Sequence, residues 1–201
     1  MASAPTTSSP PLYDAQTTRA TPNDDGYDDD RHMKLPGCVF CTASRRNKAF
    51  KVVHEDDEFV VFKDRSPGSK VHLLAIPKHH IDNVKTLGRD DVGMFLRMRT
   101  LGQRILEDVG VEPQHQRMGF HIPPFYSVNH LHMHLLSTPI PFPGNFKYRP
   151  AIVKSSSPLK QEQSNATRKL KGFSWFVHVD QVIAILESEQ TVKVSSVKAR
   201  Q

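Results

Sequence analysis

Three histidines alternate with apolar residues near the middle of the 201-residue chain, in the run His130-Leu131-His132-Met133-His134. In a β-strand successive side chains point to opposite faces, so this pattern predicts a strand with the three imidazoles on one face and the apolar residues on the other. On a helix the same spacing would spread the imidazoles over more than half of the circumference. The sequence therefore predicts a strand that presents a row of imidazoles to one surface.

Such a row of imidazoles has three possible interpretations. It could perform nucleophilic catalysis at phosphorus, because a neutral imidazole can attack while neighbouring imidazoles, with a pKa of about 6.5, hold its tautomer and relay protons. It could be a metal site built from alternating histidines. It could also be a polar sheet face with no chemical role. The run alone does not choose among the three.

Composition limits the class of protein. A chain of 201 residues with 37% hydrophobic residues can bury one core, and its formal charge of +6 suits nucleotide phosphates as well as nucleic acid. We expect no membrane partner, because no stretch approaches the roughly 18 apolar residues of a span. The two cysteines, Cys38 and Cys41, form a C-x-x-C pair that is typical of metal binding or redox chemistry in a reducing compartment. We therefore expect a cytoplasmic or nuclear protein.

The chain divides into one domain and two tails. Residues 1–34 are rich in Ser, Thr, Pro and Asp and predict a disordered N-terminal tail. Residues 35–187 form the domain, with a Ser-, Lys- and Gln-rich flexible insertion at about 150–171. Residues 188–201 predict a polar C-terminal tail.

The pattern within the domain predicts an α+β fold. Residues 89–109 have helical spacing of apolar residues, with Asp90 and Asp91 in the first turn and Gly110 after the last. The remaining apolar runs are short and separated by turn residues, which indicates strands. We expect an antiparallel sheet of about five strands with the one long helix packed on it. The predicted strands are Phe50–Val53, Phe59–Phe62, Val71–Ile76, Gln116–Phe120 and the histidine run.

Several motifs together resemble the histidine triad superfamily, in the branch that contains the Hint proteins and aprataxin. The signature H-φ-H-φ-H-φ-φ, with φ apolar, is matched at His130–Leu136. The runs Cys38–Cys41, Phe62–Asp64 and His72–Ile81 occur in the family's order. Closer resemblance to this branch is carried by Arg117–Phe125 and by the later Trp175–Phe176 and Val182–Ile183. The resemblance covers about residues 37–138.

This resemblance implies a nucleotide hydrolase that needs no cofactor for catalysis. The middle histidine, His132, would attack the α-phosphorus of an adenylated substrate and form a covalent nucleotidyl-histidine, which water hydrolyses to release AMP. Adenosine 5′-phosphoramidates and acyl-adenylates are the implied substrates, and nucleic acid is an unlikely partner. His130 and His134 would orient His132, and Ser127 would bond the phosphate or the leaving group. The purine nucleotide would also contact Asp64 through its ribose and Val39, Phe40 and Phe62 through its base.

The resemblance also implies a homodimer and a possible structural zinc site. Some triad proteins place a C-x-x-C pair opposite two histidines, which here are His80 and His130, beside Cys38 and Cys41. Nitrogen and sulfur ligands suit tetrahedral zinc. The alternative is two small buried thiols.

Three positions bear on how far the roles of the family's residues apply to this sequence. Arg65 and Gly119 stand where better-known Hint proteins have an apolar residue and an Asn, and His121 matches a catalytic histidine of aprataxin only with a two-residue insertion. Two other functions stay open: an aprataxin-like DNA-adenylate hydrolase and a non-enzymatic nucleotide-binding scaffold. Aprataxin carries a zinc finger after the triad domain, whereas this sequence has no cysteine beyond Cys41.

Overall fold

The computed structural model describes residues 33–151 and 169–198. The predicted N-terminal tail up to residue 32, and residues 152–168 of the predicted insertion, lie outside the described residues. The helices are α1 (Val92–Asp108), α2 (Gly144–Lys147) and α3 (Val179–Glu187). The strands are β1 (Val52–Glu55), β2 (Phe59–Lys63), β3 (His72–Pro77), β4 (Gln116–His121), β5 (Met133–Ser137), β6 (Lys169–Lys171), β7 (Phe176–His178) and β8 (Val197–Lys198).

An antiparallel sheet forms the centre of the fold, with strand order β1-β2-β3-β5-β4-β7, and β6 pairs with β8 separately. The predicted α+β class is confirmed, although the sheet has six strands rather than about five. The predicted long helix begins with the 3₁₀ turn Arg89–Asp91 and continues as α1, and Gly110 follows it at φ +81°. In the part of the chain that the structure describes, no helix has the length and apolar character needed to cross a bilayer.

Strand alternation separates the sheet into a core face and a second face that carries histidines. On β5, Met133 and Leu135 belong to the main core, so His134 points to the other face. The same alternation puts His72 of β3 and His121 of β4 on the face of His134. The helices α1 and α3 cover the core face with the buried residues Phe95, Met98, Leu101, Ile105, Leu106, Val179, Val182, Ile183, Ile185 and Leu186.

The histidine run is only partly a strand. Because β5 begins at Met133, the prediction that all three histidines occupy one strand was wrong for His130 and His132. The backbone of this segment is bonded elsewhere: the Leu131 N–H donates to the Ile81 carbonyl at 2.6 Å, and the His130 carbonyl accepts from the ring of His132. These groups are therefore not available to the β-ladder.

Residues 188–198 do not form a free tail. Val192 and Val197 are buried in the main core, and β8 pairs with β6. Beside them Lys171 is fully buried, and its ammonium donates to the carbonyls of Gly172, Ser174 and Val194 at 2.7, 3.0 and 3.0 Å. Burial lowers the pKa of Lys171 to about 8. The predicted polar tail was wrong for residues 188–198, because their few apolar side chains complete the core.

Gly119 lets β7 approach β4 closely. A Cβ at this position would overlap the Val177 carbonyl oxygen and lie 2.7 Å from the Phe176 ring. We expect Gly119→Ala to lower the free energy of unfolding by about 1–3 kcal/mol through overpacking, as measured by urea denaturation. The control is Gly93→Ala on the exposed face of α1, where Ala should stabilise by about 0.5–1 kcal/mol. Equal stability of Gly119→Ala and wild type would contradict the close contact.

Candidate active site

Three histidines from three neighbouring strands meet on the histidine-bearing face of the sheet. His134 of β5 lies between β3 and β4, with Leu74 and Gly119 as its register partners. His72 reaches it from β3 and His121 from the end of β4. Sheet pairing therefore brings together residues that lie far apart in the sequence.

The three rings form a directed chain of hydrogen bonds, which we call the imidazole chain. It begins where the Gly68 N–H donates to His72 Nδ1 at 2.9 Å, so the proton of His72 sits on Nε2. His72 Nε2 then lies 2.9 Å from His134 Nδ1, and His134 Nε2 lies 2.9 Å from His121 Nδ1. The chain ends where His121 Nε2 donates to the Lys147 carbonyl at 3.0 Å. All three rings are thus neutral Nε2–H tautomers.

Burial keeps the imidazole chain uncharged. Desolvation lowers the pKa of His72 and of His121 to about 4, and it holds the pKa of His134 well below its usual value. The positive charge of Lys147 acts in the same direction on all three. Tyr148 covers the chain, with its ring centroid 5.2 Å from each of the three imidazoles, and burial raises its own pKa to about 12.

Among the residues that the structure describes, none is hydrogen-bonded to the Nε2 atom of His132. Its Nδ1 donates to the carbonyl oxygen of His130 at 2.6 Å, so its Nε2 carries a lone pair. Its ring centroid lies 5.1 Å from that of His134 and 5.6 Å from that of Phe40, and the residue remains partly exposed. Burial lowers the pKa of His132, which favours the neutral ring. Such an imidazole can act as a nucleophile near neutral pH.

His130 contributes to this site through its backbone, while its ring points elsewhere. The ring is buried, and its Nε2 donates to the Pro77 carbonyl at 2.9 Å. Its Nδ1 faces the sulfur atoms of Cys38 and Cys41 at 3.5 and 3.6 Å. The ring of His130 is therefore an anchor that fixes the carbonyl to which His132 donates.

Cys38, Cys41, His80 and His130 converge as the sequence predicted, with their ligand atoms within 4.8 Å of one another. His80 presents Nδ1 to Cys41 Sγ at 3.2 Å, while its Nε2 donates to a carboxylate oxygen of Asp82 at 3.1 Å. Both histidines thus anchor one nitrogen on an oxygen and leave the other for a ligand, which is the usual arrangement around bound metals. Two thiols and two imidazoles suit zinc, so the residues fit the metal.

An aromatic cluster lies beside His132. Phe40 contacts Phe62 and Phe50 at centroid distances of 5.4 and 6.5 Å, and Phe50 contacts Phe62 at 4.9 Å. Phe62 is buried on β2, whereas Val39 is 52% exposed at the start of the turn that carries Phe40. Phe40 and Phe62, for which the resemblance implied contact with the base, thus lie against each other, and Phe50 packs on both.

Asp64 and Ser127 are the remaining predicted site residues, and Arg65 follows Asp64. Asp64 accepts from the Ser66 N–H at 2.6 Å with one oxygen, and its other oxygen lies 3.4 Å from His72 Nε2, at the start of the imidazole chain. Ser127 is exposed in the segment between β4 and β5 that also carries His132. Arg65 is exposed too.

Sequence reasoning did not connect His72 and His121, the first and last members of the imidazole chain, to His134. His72 carried a signal, because it begins an apolar strand as its only polar member. For His121 the sequence leaves two interpretations open, a match to the assisting histidine of aprataxin and a loop residue with no role; in the structure it ends β4 and bonds His134. Gly119 is explained by β7, whose Phe176 ring fills the space of a side chain at 119. Tyr148 belongs to no motif in the sequence, and only the fold brings its ring close to the imidazole chain.

The lowered pKa values predict a loss of stability in mild acid. The unfolded chain binds a proton at each histidine near pH 6.5, whereas folded His121 resists protonation until about pH 4, so stability falls as pH decreases through this window. Between pH 7.5 and 5 we expect His121 to account for about 2 kcal/mol of this loss. The variant His121→Asn should therefore show a shallower pH dependence in urea titrations, whereas His115→Asn, at an exposed position, should match wild type. Equal slopes in His121→Asn and wild type would contradict the account.

Comparisons with known proteins agree with this geometry. A family model described as "Scavenger mRNA decapping enzyme C-term binding" matches residues 37–148, more than half of the chain. The chain is 37% identical over 108 residues to adenosine 5′-monophosphoramidase HINT3 of Xenopus tropicalis, covering 53% of this chain and 71% of that protein. It is 38% identical over 104 residues to the bifunctional adenosine 5′-phosphosulfate phosphorylase/adenylylsulfatase HINT4 of Arabidopsis thaliana, covering 51% and 70%. It is 30% identical over 86 residues to aprataxin of Gallus gallus, covering 42% and 27%. The chain therefore belongs to the histidine triad superfamily, as its motifs predicted.

Proposed function

We propose that the protein is a nucleotide hydrolase that releases AMP from adenosine 5′-phosphoramidates and acyl-adenylates through a covalent intermediate on His132. One observation carries the proposal. The bond from His132 Nδ1 to the His130 carbonyl leaves Nε2 unprotonated beside an aromatic cluster that suits a base. The names of the Xenopus and Arabidopsis relatives, an adenosine 5′-monophosphoramidase and an adenylylsulfatase, support the same substrate class.

The first step forms the covalent intermediate. The lone pair on His132 Nε2 attacks the α-phosphorus, a P–N bond to the ring forms, and the bond from phosphorus to the leaving nitrogen or oxygen breaks. Positive charge develops on the ring of His132, and the His130 carbonyl that accepts its Nδ1–H stabilises this charge. The leaving group takes a proton, which the hydroxyl of Ser127 can deliver or relay from water.

The second step restores the enzyme. Water attacks the phosphorus, the bond to His132 breaks, and one proton of the water is released to solvent. AMP then leaves while the ring nitrogen regains its lone pair. His134 holds its orientation through His72 and His121, because both of its ring nitrogens are bonded to them. The positive charge of Lys147 can balance the negative charge of the phosphate, since it acts on His132 as well as on the imidazole chain. The two steps use no cofactor.

The aprataxin-like alternative differs in substrate rather than in chemistry. His121 supports it, because this histidine bonds His134 at the position that resembles the assisting histidine of aprataxin. The stretch that this chain matches makes up only 27% of the Gallus aprataxin, whereas it makes up 71% of the Xenopus monophosphoramidase. Because most of aprataxin has no counterpart in the match, we favour the small-molecule substrate. A non-enzymatic scaffold would bind AMP but would form no covalent species.

Protein denatured under alkaline conditions should reveal the intermediate. We expect a base-stable nucleotidyl-protein to accumulate in wild type and in Ser127→Ala when they are mixed with an adenosine phosphoramidate labelled in the phosphate. It should be absent in His132→Asn, because the lone pair of the Asn amide nitrogen is delocalised into the carbonyl and cannot attack phosphorus. Loss of Ser127 should slow turnover without abolishing the label, since the hydroxyl serves the leaving group.

Two outcomes would reject this role of His132. One is trapped label on His132→Asn, and the other is turnover by that variant above about a hundredth of the wild-type rate. Asn is chosen because it can keep a hydrogen bond to the His130 carbonyl through its amide, so the fold of the segment is preserved. In either case the scaffold or metal interpretation of the histidine run would take precedence.

We further propose that Cys38, Cys41, His80 and His130 hold a structural zinc ion. When bound, the metal would fix the ring of His130 and hence the carbonyl to which His132 donates. Protein purified without chelator or histidine tag should contain about one equivalent of zinc per chain, and Cys38→Ser should lose it. Less than about a tenth of an equivalent in wild type would sink this proposal and leave the interpretation as two partly buried thiols.

The homodimer remains a proposal. A groove of about 530 Å³ lies between the turn Asp56–Glu58 and the outer side of α1, where Leu96 is exposed beside Arg97 and Arg104. Arg97 pairs with Glu58 within the chain at 2.6 Å, so the exposed Leu96 at this groove, rather than unpaired charge, is the surface that a two-fold related copy would cover. Light scattering at micromolar concentration should give the dimer mass, and a monomer mass would remove the dimer without affecting the site.

A further inference from the structure

Three exposed aromatic side chains form one surface cluster, which we call the aromatic platform: Phe125, Phe173 and Trp175. Their relative exposures are 45%, 67% and 46%. The rings of Phe125 and Trp175 lie 4.3 Å apart at an angle of 37°, and those of Phe173 and Trp175 lie 5.9 Å apart at 67°. Contiguous exposed apolar surface is uncommon on soluble domains and often marks a binding site.

The aromatic platform is connected to the candidate active site through the backbone. Phe125 lies in the segment between β4 and β5, which also carries Ser127 and His132. The Trp175 carbonyl accepts from the Ile122 N–H at 2.8 Å, and Ile122 directly follows His121, the last member of the imidazole chain. The platform is therefore built on the backbone that carries the active-site residues.

The backbone under two of the three rings is held rigidly. The buried ammonium of Lys171 donates to the carbonyls of Gly172 and Ser174, which flank Phe173. Ser174 is further fixed by its N–H, which donates to the Val194 carbonyl at 3.1 Å, and by its hydroxyl, which donates to the Arg149 carbonyl at 2.8 Å. A rigid surface loses little conformational entropy when it binds a ligand.

We propose that the aromatic platform binds a planar aromatic ring in the leaving group of the substrate. The inference rests on the proposed function. The base would occupy the cluster of Phe40 and Phe62, so the leaving group must extend from the phosphorus in another direction, and the exposed segment with Ser127 and Phe125 offers one. Aromatic side chains stack favourably on planar rings and tolerate differences in ring type. Substrates whose leaving amine carries an aromatic ring are therefore preferred.

Three adenosine 5′-phosphoramidates test the preference. One has an unsubstituted amide, one a 2-phenylethyl group and one a 2-cyclohexylethyl group on nitrogen. The last two match in length and size, and the saturated ring cannot stack. We expect wild type to give a kcat/KM about tenfold higher for the phenyl than for the cyclohexyl substrate.

Variants of the aromatic platform test whether its rings cause the preference for the phenyl substrate. Trp175→Leu and Phe125→Leu should reduce the phenyl-to-cyclohexyl ratio to about one, because Leu keeps apolar surface but cannot stack. The matched control is Phe142→Leu, at a 79% exposed position that contacts Phe146 and lies outside the platform, and it should keep the wild-type ratio. Because both rates come from the same preparation, the ratio is independent of the folded fraction.

The outcomes separate the two proposals. A ratio of about one in wild type, with the unsubstituted substrate hydrolysed, overturns the aromatic subsite and leaves the proposed function intact. A ratio that persists in both Trp175→Leu and Phe125→Leu also overturns the subsite. If wild type hydrolyses none of the three compounds, the proposed function is overturned, and the aromatic subsite with it.

Discussion

The hydrogen bond from His132 Nδ1 to the carbonyl of His130 is the interaction on which the site depends. It decides which nitrogen of His132 has a lone pair, and it requires the His130 carbonyl to leave the β-ladder. That carbonyl is held in place because the ring of His130 is bonded to the Pro77 carbonyl and faces two thiols. A buried side chain thus fixes a backbone group, and the backbone group fixes the tautomer of its neighbour. The same logic makes the zinc proposal relevant to catalysis, although the metal would lie away from the phosphorus.

The imidazole chain applies the same principle over a longer distance. Fixed backbone groups stand at its two ends, the Gly68 N–H and the Lys147 carbonyl, and they leave only one arrangement of protons in the three neutral rings. Burial makes protonation of any ring costly, so the arrangement persists through neutral pH. His134 is consequently held at both nitrogens, and its ring provides a rigid wall beside His132.

The sequence was informative where a local pattern determines geometry. Alternation in the histidine run correctly predicted that Met133 and Leu135 enter the core opposite His134, and helical spacing predicted α1 with Gly110 after it. The pattern could not show that the strand starts at Met133, because this depends on bonds to Pro77 and Ile81, which lie about fifty residues away. His121 and Tyr148 reach the site only through sheet pairing and chain return, which local periodicity does not encode. The burial of Val192 and Val197 was missed because isolated apolar residues in a polar segment give no periodic signal.

The tautomers themselves provide the most direct test of this account. Long-range ¹H–¹⁵N NMR of histidine-labelled protein at neutral pH distinguishes a protonated ring nitrogen from one with a lone pair. The account predicts a protonated Nδ1 and an unprotonated Nε2 for His132, and the opposite tautomer for His72, His134 and His121. A protonated Nε2 on His132, or averaging between its two tautomers, would contradict the claim that the His130 carbonyl prepares His132 for attack.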